Sequence, residues 1–100
     1  MAYLARFSYD VRPADRQRAL DLIRREVAAA RRAGRDARLL VPLTRGQGGA
    51  ALHFEVELTS LDQLEGFRQR GGSQEAHDWM HAFSQVLTAP PGVEILRVDE

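Results

Sequence analysis

Two histidines stand four residues apart in the segment His77-Asp78-Trp79-Met80-His81. On a helix that spacing puts both rings on one flank, where they could fill two positions of a metal's coordination sphere. The Glu that follows the first His in the zinc helix motif is missing, and Asp78 points elsewhere on the helical wheel. A third ligand would have to come from a strand, from His53 or Glu55. The plainer reading is two half-exposed rings edging an amphipathic helix, and no metal is expected. A second constellation is His53, Glu55 and Glu57, which alternate along one face of a strand-like run. Carboxylates beside an imidazole can do general acid–base work if burial moves their pKa values toward neutrality. Arg6, Arg38 and Arg97 could instead engage them as ion pairs across a sheet or a dimer interface. His77, His53 and Glu55 are therefore the candidate catalytic residues. Tyr3, Phe7 and Tyr9, on one face of the first strand, could frame an aromatic substrate pocket with Trp79 and Phe83. Plain aromatic core packing would use the same residues.

These side chains need elements to hold them. Residues 2 to 10 alternate with period two, with Tyr3, Ala5, Phe7 and Tyr9 opposed to Leu4, Arg6 and Ser8. Pro13 suits a first helical turn, and a run rich in Ala, Leu and Arg follows to Ala33. Leu20, Ile23, Val27 and Ala30 form its apolar stripe. Arg24, Arg25, Arg31 and Arg32 suit the negative end of its dipole, and Gly34 is a natural stop. Residues 37 to 44 predict a second strand, placed at an edge or bulged because Pro42 cannot donate to a ladder. A Gly-rich loop, Arg45 to Gly49, joins it in a hairpin to a third strand over 50 to 58. Ser60 caps a short helix with Leu61, Leu64 and Phe67 inward. Gly71-Gly72 interrupts, and Ser73 caps the last helix. Its apolar face is Ala76, Trp79, Met80, Phe83, Val86 and Leu87. Pro90-Pro91-Gly92 ends it, and Val93 to Val98 predict the fourth strand.

The bulk composition narrows the function. One hundred residues with 44% hydrophobic content make one folded domain with a modest core. A formal net charge of zero argues against a nucleic-acid binder that neutralises phosphates. All 14 basic residues are Arg, which fits a compositional bias better than a dedicated anion site. Without cysteine there is no disulfide framework, thiolate metal site or thiol nucleophile. No apolar run approaches a membrane span, and no basic-then-apolar leader precedes the first strand, so a soluble cytoplasmic protein without a membrane partner is expected. The Gly46 to Gly49 loop lacks the Gly-Lys-Ser/Thr ending of a phosphate loop. Arg70 to Ser73 could hold an anion at a helix start but reads more economically as linker and cap.

The order strand, helix, strand, strand, helix, strand gives a ferredoxin-like βαββαβ domain of the α+β class, the second helix broken in two. A four-stranded antiparallel sheet would carry the helices on one face. The first, second and fourth strands put large apolar residues on both sides, which a sheet with one solvated face avoids. A symmetric homodimer packed sheet to sheet would resolve this.

From Phe54 to Leu87 the chain resembles the dimeric α/β-barrel superfamily, and within it the antibiotic-biosynthesis-monooxygenase-like branch. The residues that carry this are Glu55 on an apolar strand, the turn Thr59-Ser60-Leu61-Asp62-Gln63-Leu64, and a helix with Ser73, His77 and Phe83. The position where the branch often has a helix His falls on Phe67, and Gly71-Gly72 is an insertion. The resemblance implies a dimeric barrel. It also implies a range of activities: cofactor-free oxygenation of aromatic or quinol-type compounds, isomerisation and cyclisation. Glu55 matches the branch's strand Glu, and His77 stands as a displaced equivalent of its helix His. The alternative to an enzyme is a non-catalytic module that binds a metabolite or a protein.

Overall fold

The computed structural model describes residues 2–46, 51–70 and 72–99; the side chains of Phe67, Arg68 and Arg70 lie outside that description. The chain runs through β1 (Tyr3–Tyr9), a 3-10 turn (Pro13–Asp15), α1 (Arg16–Arg32), β2 (Asp36–Leu40), β3 (Leu52–Leu58), α2 (Leu61–Arg70), α3 (Gln74–Ser84) and β4 (Gly92–Arg97). The strands form one sheet in the order β2-β3-β1-β4, and every pairing is antiparallel. This is the α+β architecture that the element order implies.

Local chemistry sets the boundaries. Pro13 opens the 3-10 turn, where its missing N–H costs nothing. α1 ends in a Schellman motif: Gly34 takes φ +81, its N–H bonds Arg31 O, and Arg35 N–H bonds Ala30 O. Ser60 Oγ accepts from Gln63 N–H, and the Gln63 side chain accepts from Thr59 N–H, which starts α2. Ser73 Oγ accepts from Ala76 N–H and restarts the chain as α3 after the break.

Several boundaries and faces differ from expectation. β2 is an edge strand, but it stops at Leu40, two residues before the proline that would have left a gap in the ladder. Val41 and Leu43 are consequently exposed. α3 stops at Ser84. Val86 is buried beyond it, and Leu87 forms an isolated bridge to Val11. Met80 and Leu61 are exposed rather than inward, while Leu64 packs on the core. In α1 the buried stripe is Ala19, Leu22, Ile23, Val27 and Ala30, and Leu20 sits at its margin. The expected inward Phe67 and the loop residues 47–50 lie outside the described residues.

The core lies between the inner face of the sheet and the helices. Ala5, Tyr9, Leu52, Phe54, Val56 and Leu58 supply the sheet side, with Ile23 and Phe83 above them. Each large apolar side chain buried there stabilises the fold by about 1.5–3 kcal/mol. Among the described residues no helix is long and apolar enough to cross a membrane.

Candidate functional site

The outer face of the sheet carries an alternating charge row. In register across β2, β3, β1 and β4 stand Arg38, Glu55, Arg6 and Glu94. Glu55 is only 2% exposed. Its Oε2 accepts from Arg6 Nη2 at 3.2 Å and Nε at 3.4 Å, and its Oε1 accepts from Arg38 Nη2 at 3.2 Å. Two guanidinium groups thus roof the carboxylate and occupy both its oxygens, an arrangement that fixes an anion in place. Arg97 pairs in register with Tyr3 instead and takes no part in the row. One row along, His53 Nδ1 and Ser8 Oγ share a hydrogen bond of 3.0 Å. A recess of about 220 Å³ opens beside Glu55, with Leu4, Asp36 and Glu57 at its rim.

The aromatic residues lie on the other side of the sheet. Phe83 meets Tyr9 edge-on at 4.7 Å and stacks on Trp79 at 4.8 Å. Trp79 Nε1 donates to Leu22 O at 2.8 Å, which pins α3 to the backbone of α1. Burial, helped by the nearby charge of Glu26, pushes the Tyr9 phenol well above its ordinary range. Tyr9 is therefore a neutral, packed ring under ordinary conditions. Phe7 leans on Phe54 at 5.7 Å and is only partly buried, as is Tyr3.

The sequence-derived candidates thus fall into three places. Tyr9, Phe83 and Trp79 come together in the core, with Tyr3 and Phe7 further along the same face of β1. His53 and Glu55 lie across the sheet from all of them. His77 and His81 are exposed on α3, and among the described residues no three His, Cys, Asp or Glu side chains gather. Sequence reasoning missed the open end of the inner face. There Val93 is 58% exposed and Ile95 41% exposed, opposite Phe7 and Ala5 in the ladder. The signal for it was the apolar pair Val93 and Ile95 on one face of the last strand.

Comparison with solved structures finds the same fold over nearly the whole chain. Rv0793 from Mycobacterium tuberculosis superposes with a TM-score of 0.76 at 18% identity, covering 100% of this chain and 98% of that one. A structure described as an antibiotic biosynthesis monooxygenase gives 0.71 at 14% identity, covering 100% of both chains. The chain has the fold of an antibiotic biosynthesis monooxygenase. A dimeric protein of unknown function with a ferredoxin-like fold, from Bacteroides fragilis, gives 0.68 at 8% identity, covering 97% of this chain and 96% of that one. No protein-family model matches the sequence, and no curated protein matches it. At these identities the likeness is one of fold, and a fold hosts many chemistries.

Proposed function

We propose that this chain is a homodimeric, cofactor-independent oxygenase of small aromatic or quinol-type compounds, with the substrate seated on the inner face of β4. One observation carries the reading. A single apolar row, Leu39, Phe54, Phe7 and Val93, crosses all four strands of the inner face, yet its β4 end stays open to solvent. An exposed apolar strip beside aromatic residues offers a surface on which a small planar ligand could rest. α1 packs on β2 and β3, and Phe83 seats α3 on Tyr9 of β1. α3 turns Glu75, Asp78 and Ala82 toward α1, and helical spacing puts His77, Met80 and Ser84 on its other flank, which in this reading faces the substrate.

In this reading His77 takes the acidic proton of a phenol or an activated methylene, and Tyr3 and Phe7 bound the ring, since Phe83 is fully buried and Trp79 is turned to Leu22 of α1. The resulting anion gives its electrons to molecular oxygen. A methylene carbon loses two hydrogens and gains one oxygen as a carbonyl. The second oxygen leaves as water with those hydrogens, so no external reductant is required. The protein's part is deprotonation and positioning. A second copy would cover Leu4, Leu40 and Leu96, which sit among the charges of the outer face; the fold shared with a dimeric protein supports this.

A second reading has its own observation. Tyr9, Phe83 and Trp79 fill the space between α3 and the sheet, and His77 and His81 stand in solvent, as expected of a non-catalytic module that binds a metabolite or protein. Oxygen uptake screened over quinols and polyketide-like phenols separates the two. Saturable uptake that collapses in His77→Ala, with unchanged thermal unfolding, supports the oxygenase. Ligand binding without uptake selects the module.

A further inference from the structure

The outer face of the sheet holds its side chains in rows, and the middle row alternates in sign from one edge to the other. It reads Arg38, Glu55, Arg6 and Glu94 on β2, β3, β1 and β4. Within one chain Glu55 takes both arginines. Arg38 gives one N–H to it and keeps its other donors, and its side chain is 61% exposed. Glu94 is exposed at the far edge. Among the described residues its side chain makes no ion pair or hydrogen bond. The sheet therefore offers a cationic fork at its β2 edge and an unused carboxylate at its β4 edge. On either side of this row lie Leu40, His53, Ser8 and Gly92 at one end of the sheet, and Asp36, Glu57, Leu4 and Leu96 at the other.

A second copy stacked on this face can be related to the first by a two-fold axis along the strands or by one across them. The charged row lies at the centre of the sheet, so both axes pass through it, and it distinguishes them. An axis along the strands reverses the row. Arg38 then faces the partner's Glu94, and by symmetry Glu94 faces the partner's Arg38. An axis across the strands lays the row on itself, with Arg38 on the partner's Arg38 and Glu94 on the partner's Glu94. Like charges brought together at an interface cost binding, and opposite charges fix its register. Stacked sheets lie about 10 Å apart, a gap that an extended Arg and Glu bridge together. The Leu40 row agrees, since reversal brings Leu40 over the partner's Gly92, where no side chain obstructs it. Asp36 and Glu57 meet no partner carboxylate under either axis. We propose that two copies of this chain pack outer face to outer face with the two-fold axis along the strands, oriented by Arg38 of each copy on the partner's Glu94. This rests on the homodimer of the reading above and supplies its geometry.

The dimer dissociation constant of the full chain, measured by sedimentation equilibrium, carries the test through its sign. Glu94→Gln removes a charge from each copy at an exposed position on an edge strand, and far-ultraviolet circular dichroism confirms that the variant is folded. The proposed axis then loses its symmetric ion pairs, so the constant should rise about fivefold. Glu94→Arg, which sets Arg against Arg, should raise it further. Added sodium chloride should weaken the native dimer more than the Glu94→Gln dimer. Arg38→Gln combined with Glu94→Gln should be no weaker than Arg38→Gln alone, because coupling exists only where both charges are present. The axis across the strands predicts the reverse sign, since Glu94→Gln would relieve a contact between like charges and tighten the dimer. A native dimer whose constant Glu94→Gln leaves unchanged or lowers overturns this orientation while the homodimer stands. A native chain that stays monomeric overturns both.

Discussion

Trp79 is held by two contacts of different kinds, and substitution separates them. Its ring stacks on Phe83, and its N–H donates to Leu22 O. Trp79→Phe keeps an aromatic ring and loses the hydrogen bond, so it should cost about 1 kcal/mol. Trp79→Ala removes both and should cost about 3 kcal/mol; urea unfolding of the pair measures the difference. Tyr9 makes a pH-dependent claim. Burial holds its phenol protonated in the folded chain to a pH well above the value of about 10 at which an unfolded chain ionises. Between those points the unfolded state binds fewer protons, so stability falls as pH rises. The contribution is fully present below about pH 10 and drains away above it. Tyr9→Phe should flatten that alkaline decline, read as the urea midpoint against pH. At this scale the sequence was partly legible. Alternation alone put His53, Glu55 and Glu57 on one face of β3. It could not show that Glu55 is the buried member, because that depends on the register that brings Arg6 and Arg38 to either side of it.

Helix and strand ends were readable wherever one residue dictates the backbone. Ser60, Ser73, Pro13 and Gly34 each do what their chemistry requires. Gly34 gives the cleanest test. Its φ of +81 is strained for any residue with a Cβ, although a Cβ there would meet nothing within 4 Å. Gly34→Ala should therefore cost about 1 kcal/mol through backbone strain alone, and calorimetry should show it as a lowered Tm without loss of structure. Ends set by tertiary contact were not readable. The apolar spacing of α3 runs on through Val86 and Leu87, but the chain turns after Ser84, where Thr88 N–H and Oγ1 both bond Asp10 O. Met80 follows the helical period yet lies exposed, because the period marks a face without fixing how much of that face a neighbour covers.

For the whole molecule, element order led to the topology, since four strands and two helical segments in this order have few unknotted antiparallel solutions. Helix cover was not legible. Periodicity does not say that α1 and α3 would leave the inner face of β4 open. That open face is the structural basis of the oxygenase reading, and it differs physically from the outer face, where His53, Glu55 and the two arginines sit. The two faces can be altered separately. Val93 lies on the solvent-exposed part of the inner face, so Val93→Arg should change stability by about 0.5 kcal/mol or less while putting a charge where an apolar ligand would rest. The deciding measurement is oxygen consumption by the purified chain with a quinol or polyketide-like phenol substrate, run beside Val93→Arg. The account predicts uptake in the native chain and its loss in the folded variant. Uptake that survives the substitution undiminished, or no uptake by the native chain, would contradict it.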